Sequence, residues 1–288
     1  MVSRPQAALP PDDGPDRGFA AAVEAAADAL RSRLAEPPRA VFLLGTGHEA
    51  LAAHLADART LSPTSLPAGV AFAQGAPLHA GRIGTLPVLI GSAVAPYHLG
   101  ATPREVVLPL RVLRRLGAEV LVLTGGVASL GAEFAAGAIA VVEDHIDLSA
   151  THLLRATPPA PDGPRFLDQR EPYSERLRRR LHAAAERLES PCREAVLAAL
   201  PGPVLPTRAE CRALRALGAQ LVSMSLVPEA IAARHAGFEV LTLAAVVQNL
   251  DDAGIATSIP DLLAAVDHIA PRLDHLLLAC AHVLASPD

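Results

Sequence analysis

The stretch Leu217 to His235, LGAQLVSMSLVPEAIAARH, holds a strand, a turn and a helix start, and it constrains the fold more than any other part of the chain. Gln220 to Ser225 alternates toward an apolar strand. Pro228 suits a first helical turn, where its missing N–H is harmless, and Glu229 places a carboxylate at the positive end of the helix dipole. The helix runs on through Ile231 and Arg234, and Glu229 and Arg234 are expected to pair with each other or to cap it. Ser225 then lies at the C-terminal end of a strand beside exposed N–H groups, where open α/β sheets bind ligands and anions. An ordinary strand-to-helix connection fits the same residues, so geometry alone marks only a candidate site.

Composition narrows the function classes. A chain of 288 residues with 51% hydrophobic and 3% aromatic content builds its core from Ala, Val and Leu. Net charge is −5 and no basic block is present, so there is no electrostatic footprint for nucleic acid. Cys192, Cys211 and Cys280 show no CxxC spacing and leave an odd thiol in any pairing, which fits a reducing compartment and a cytoplasmic address. No apolar run reaches membrane-spanning length, and no membrane partner is expected. The start MVSRPQAALPPDDGPDRG lacks an apolar signal core. Residues 1–18 are expected to be a disordered tail ahead of one domain over 19–288.

In chain order, Phe19 to Leu34 has helical spacing and Pro37-Pro38 stops it. Ala40 to Leu44 is a short apolar run typical of a strand buried on both faces, followed by Gly45-Thr46-Gly47 and a helical stretch from Glu49 to Ala56. The glycine turn can cradle a phosphate with the Thr46 hydroxyl as an added donor, or serve as a plain tight turn. Val70 to Phe72, Leu78 to Ile83 and Val88 to Ile90 read as a meander. Thr102-Pro103-Arg104-Glu105 opens a helix that Gly117 ends. Glu119 to Leu123 is a second buried strand with a glycine turn at Thr124-Gly125-Gly126, and Gly137 to Val142 leads into Asp144-His145-Ile146-Asp147. Ser149 to Gln169 is Pro-rich and reads as a long surface loop, Tyr173 to Leu188 as an amphipathic helix. Strands near Pro203 and at Val240 to Val247, and a helix from Asp261 to Leu284, complete the count. Alternating strands and helices with an antiparallel meander define an α/β fold, a single domain with a mixed β-sheet flanked by helices.

These residues also carry a likeness. GTG after the first strand, PVLIG in the third, RVLRRLGAEVLVLT, GAIAVVEDHIDL, and TRAECRALRALGAQLVSMSLVPEAIAARHAGFEVLTLAAVVQN resemble the trimeric purine nucleoside phosphorylase family from Val41 to Leu284. The resemblance implies a nucleoside phosphorylase-like sheet, a homotrimer, phosphorolysis of a nucleoside with inorganic phosphate as co-substrate, and no metal or organic cofactor. Cleaving the glycosidic bond makes the sugar oxocarbenium-like and the leaving purine electron-rich. A site must therefore hold an anionic nucleophile and supply donors to the base.

For phosphate, the family uses a hydroxyl in the first glycine turn, an Arg-x-His after the third strand, backbone at the second glycine turn and the serine of the MS motif. The resemblance thus implies Thr46, Gly126 and Ser225, but matching without gaps puts Val94 and Pro96 where the arginine and histidine belong. For the base, Pro206 and Gln248 stand where the family has glutamate and asparagine. Gln248 keeps an amide donor and is the expected catalytic residue, whereas the Pro206 side chain neither donates nor accepts. Gln74 and Gly125 replace a family histidine and asparagine, while Met224 is kept where the family packs a methionine under the ribose. His98 and Arg104 are the candidate replacement cations, the plain alternative being a solvated loop histidine and a surface arginine.

An enzyme of this type with weak or altered activity, and a non-catalytic homologue binding a nucleoside-like ligand or a protein partner, both fit these substitutions. His268, His275 and His282 share a helix face, but two turns separate neighbours by about 10 Å, too far for one metal. Asp144-His145-Ile146-Asp147 has the residue types of an acid/base pair, yet it falls in a framework segment of the family.

Overall fold

The computed structural model describes residues 15–45, 48–62, 76–94, 97–149, 153–156, 163–250 and 259–286. Nine strands are described: β1 (Ala40–Leu44), β2 (Ala56–Leu61), β3 (Leu78–Ile83), β4 (Leu86–Ser92), β5 (Val120–Ser129), β6 (Ile139–Asp147), β7 (Arg193–Ala199), β8 (Leu221–Ser223) and β9 (Glu239–Asn249). Their order is β2-β3-β4-β1-β5-β8-β7-β6-β9, and β5 also pairs with β9, so the pairings from β5 through β8, β7, β6 and β9 return to β5. β4, β1, β5 and β9 lie side by side and run parallel, whereas β3 is antiparallel to β4 and β8 to β5.

Seven α-helices occur among the described residues: α1 (Pro15–Arg31), α2 (His48–Ala52), α3 (Pro103–Arg115), α4 (Glu175–Arg187), α5 (Arg208–Ala216), α6 (Val227–Ala236) and α7 (Ile259–Ala285). Alternation along β1 assigns them to two faces. Val41 and Leu43 share a core with Phe19 and Val23 of α1, Leu110 of α3 and Ile231 of α6. Ala40, Phe42 and Leu44 share the other with Leu177 and Leu181 of α4 and Leu273 and Leu276 of α7. Helix starts are set locally. Thr102 caps α3 and Thr207 caps α5, each in a reciprocal box with the glutamate three residues on, Glu105 or Glu210.

Several boundaries differ from the sequence reading. α1 begins at Pro15, inside the expected tail, and residues 1–14 lie outside the described residues. The expected helix from Glu49 stops at Ala52, and β2 follows it. β2 shows no apolar run because it is an edge strand with five of its six residues exposed. β5 does not turn at Thr124-Gly125-Gly126. It continues to Ser129 because β9 pairs with it along that whole length. The strand expected near Pro203 is instead Arg193–Ala199, since a proline has no N–H to give a ladder. Of the loop expected from Ser149 to Gln169, the described residues include a 3-10 turn, Leu153–Ala156, with Leu153 buried, while 150–152 and 157–162 lie outside the described residues. The strand expected at Val70 to Phe72 lies outside the described residues.

Candidate active site

The turn between β8 and α6 is held from four sides. The Ser223 hydroxyl donates to Gly126 O at 3.3 Å, and its oxygen accepts from the Ser225 N–H at 3.3 Å. The Ser223 and Ser225 hydroxyls are themselves 3.3 Å apart. His98, in the 3-10 helix Tyr97–Leu99, places Nδ1 at 3.3 Å from Met224 O. A carbonyl only accepts, so Nδ1 carries the hydrogen and Nε2 is the ring's second nitrogen. Behind them, Gly202 has a φ of 64°, and a Cβ there would come within 2.6 Å of Met224 Sδ and 3.1 Å of His98 Cβ, so a side chain at this position is strained and displaces Met224.

Leu226 is the strained residue of the turn. Its φ of 74° and ψ of −51°, with the Val227 N–H donating to Ser225 O at 3.0 Å, form a γ-turn of the rare positive-φ kind. Such a conformation costs about 1–3 kcal/mol and persists only where its surroundings hold it. Two contacts do so. The Leu226 side chain packs onto Gly125 of β5, where an added Cβ would sit 3.0 Å from Leu226 Cδ2. Glu229, the third residue of α6, reaches back to accept from the Leu226 N–H.

Glu229 is 4% exposed, and burial pushes its carboxyl up to about 7 despite hydrogen bonds from the Leu226 and Glu229 backbone. Its Oε2 has no partner among the described residues. Glu229 and Arg234 therefore do not pair with each other. Glu229 caps the start of α6, while Arg234 Nη1 donates to Phe238 O at 3.1 Å beyond its end.

One cavity of roughly 200 Å³ opens on this turn. His98, Gly126, Met224, Ser225 and Gln248 all line it, which gathers five of the described candidates from four separate elements, whereas Arg104 is not among the lining residues. Gln248 is 6% exposed, and its Oε1 meets no donor among the described residues. The cavity sits at the C-terminal ends of the parallel strands β5 and β9, where loops and exposed N–H groups converge. The sequence reading passed over Ser223, although its spacing from Ser225 in SMS was the available signal. It also passed over the apolar lining from Leu200, Leu205, Val222 and Leu262. Thr46, Gln74 and Pro96 lie outside the described residues. Larger hollows, of roughly 500 Å³ between α4 and α7 and roughly 330 Å³ at the N-terminal ends of β1, β5 and β9, contain none of the candidates.

Among the described residues, no arginine or carboxylate lines the cavity. Val94 is 0% exposed and belongs to the core. Arg104 does not serve as a replacement cation: its guanidinium stacks 4.8 Å from the Phe19 ring centre, between α3 and α1. Asp144, His145 and Asp147 are absent from the cavity lining. His145 Nδ1 lies 3.2 Å from the buried Tyr173 hydroxyl, and burial lowers the imidazole pKa. His268, His275 and His282 are exposed on α7, and no metal-binding cluster occurs among the described residues. No helix of the described residues is long and apolar enough to cross a membrane.

Residues 39–282 match the family described as the Phosphorylase superfamily. The purine nucleoside phosphorylase of Mycobacterium tuberculosis is 35% identical over 276 residues, covering 93% of this chain and 96% of that protein. Purine nucleoside phosphorylase 1 of Bacillus subtilis is 33% identical over 230 residues, covering 78% and 84%. The fold matches that of the Schistosoma mansoni purine nucleoside phosphorylase crystallised with inosine, with a TM-score of 0.86 at 22% identity over 93% of this chain and 97% of that one. Extended likeness in sequence and in backbone thus agrees with the convergence of the candidate residues, and the chain belongs to the purine nucleoside phosphorylase family within the phosphorylase superfamily.

Proposed function

We propose that the protein cleaves the N-glycosidic bond of a purine nucleoside with inorganic phosphate, releasing the free base and a pentose 1-phosphate, with low or altered turnover. The observation that carries this reading is the meeting of His98, Gly126, Met224, Ser225 and Gln248 in one cavity. Gln248 presents its amide to the leaving base, Met224 supplies an apolar floor for the sugar, and the Ser225 hydroxyl with the Gly126 backbone faces the nucleophile. Thr46 is the further hydroxyl in this reading. Phosphate is the only co-reactant required, without metal or organic cofactor, and the setting is the cytoplasm.

Chromatography of long incubations, with and without phosphate, tests the reaction. Base and pentose 1-phosphate appearing together support it, whereas no base from any purine nucleoside, even at stoichiometric protein, rejects catalysis. The buried Val94 favours a second reading, a homologue that binds a nucleoside-like ligand without turnover. In that case the hydroxyls, the amide and the methionine still hold a neutral ligand, because these groups need only partial desolvation, whereas a dianion needs a nearby cation.

A nucleoside is therefore expected to raise the melting temperature while phosphate alone does little, and Gln248→Ala combined with Met224→Ala should abolish the shift. A thermal-shift panel in which phosphate alone stabilises and no nucleoside does would reverse the assignment. The assembly in this reading is a homotrimer, so sedimentation at micromolar concentration is expected to give three chain masses. A single-chain mass would reject it.

A further inference from the structure

The cavity's polar and apolar groups are unevenly distributed. Gln248 of β9 is the register partner of Ala128 of β5, and Ala128 is the partner of Val222 of β8. All three line the cavity, so a row leaving Gln248 across the sheet carries first a methyl and then an isopropyl group. Two strand spacings make that row about 10 Å long, enough to lie under a bicyclic base. Ala128 and Val222 belong to a separate apolar cluster with Leu130, Cys211 and Leu214, and Leu200 packs against it. The segment between β7 and α5 adds Leu200, Leu205 and Pro206 to the lining, all apolar. Polar groups come instead from Gly126, the Ser223–Ser225 turn, His98 and Gln248 itself.

Resting on the nucleoside reading of this cavity, we infer that it selects purine nucleosides with an apolar 6-substituent over 6-oxopurine nucleosides, and that Pro206 and Leu205 are the specificity-determining residues. With the imidazole edge of the base at the Gln248 amide, the six-membered ring projects over Ala128 and Val222 toward Leu200, Leu205 and Pro206. A 6-oxopurine carries an N1–H donor and an O6 acceptor on that edge. Where that edge meets the wall both give up water, and no side chain of Leu200, Leu205 or Pro206 can replace it. A 6-methyl or 6-methylthio group gives up no hydrogen bond at position 6 and gains apolar burial. Leaving polar groups unpaired against an apolar wall discriminates more strongly than adding or removing one methylene, which itself is worth about 10-fold or more.

The test compares inosine with 6-methylpurine and 6-methylthiopurine ribonucleosides, identical in their sugar, by calorimetric binding and by phosphate-dependent base release. The expected result is a preference of about 10-fold or more for the 6-alkyl and 6-alkylthio compounds. Pro206→Glu should shift that preference toward inosine by giving N1–H an acceptor. Leu205→Gln, at a half-exposed rim position, provides the same readout if Pro206→Glu does not fold. A wild-type preference for inosine overturns the inference, as does an unchanged ratio in the folded variants. If no nucleoside is bound or cleaved, the nucleoside reading itself fails and this inference falls with it. Binding that follows the expected order without turnover upholds the selectivity and rejects only catalysis.

Discussion

Inosine and guanosine are expected to lose their bases to phosphate on the order of 100- to 10,000-fold more slowly in this protein than at a site with a full set of charged and donating contacts. Two positions account for the deficit. Where the family resemblance calls for an arginine, Val94 is fully buried in the core and absent from the cavity lining. Where it calls for a glutamate, Pro206 lines the cavity with a side chain that neither donates nor accepts. A hydrogen bond to a charged group contributes about 1.5–3 kcal/mol, and each 1.4 kcal/mol or so of lost transition-state stabilisation is about tenfold in rate. Arg104 does not compensate, because its guanidinium lies over the Phe19 ring of α1 and is absent from the cavity lining. Initial rates of hypoxanthine release decide the matter. Fast, phosphate-dependent release from inosine would mean that His98, which lines the cavity, or a cation from residues outside the described set takes over, and would show that Val94 and Pro206 do not limit the reaction.

Glu229→Gln is expected to remove a large pH dependence of stability. The carboxyl ordinarily titrates near 4.5 and is raised to about 7 in the fold by burial. The folded protein therefore keeps a proton that the unfolded chain releases across this window. The associated stability is present in full below about pH 4.5 and is lost as pH rises through 7. The difference amounts to about 3 kcal/mol by pH 8. Glutamine retains an oxygen to accept from the Leu226 N–H and carries no charge to desolvate. Urea denaturation at pH 5 and pH 8 should then show a variant close to wild type in acid and clearly more stable in base. Parallel pH profiles for the two proteins would show that Glu229 is not charged at the cost of burial. Loss of stability in the variant at both pH values would show that the γ-turn at Leu226 requires the carboxylate itself.

What was legible in the sequence was local. Thr102-Pro103-Arg104-Glu105 announced a capped helix because cap, proline and returning carboxylate all lie within one turn, and the capping box forms. The same T-x-x-E pattern stands at Thr207 to Glu210. Leu78 to Ile83 and the run from Ala40 to Leu44 formed strands at the bounds their hydrophobic patterns set. The stretch from Gln220 to His235 gave a strand, a turn and a proline-started helix, although the strand itself ends at Ser223. The likeness to a phosphorylase family then pointed to Gly126, Met224, Ser225 and Gln248, and nearness in the loop to His98, and these five share one cavity.

Tertiary structure decided what depends on distant partners. β2 is a strand only because β3 accepts it at the sheet edge, so its own exposed residues carried no signal. Gly125 and Gly126 read as a turn because glycines usually mark one. Pairing with β9 draws them into a continuous strand, and the missing Cβ at Gly125 is used by Leu226 from the far side of the chain. Glu229 read as a carboxylate favouring the helix dipole, pairing with Arg234 or capping its helix, since any acid at a helix start does. Only packing buries it and so pushes its carboxyl up to about 7. The apolar row from Ala128 to Val222 belongs to no sequence segment, because neighbouring strands build it from residues nearly a hundred positions apart. Periodicity and capping fix which elements form, since their energies are settled within a turn or a strand. Register, burial and the lining of the cavity are fixed only when those elements meet.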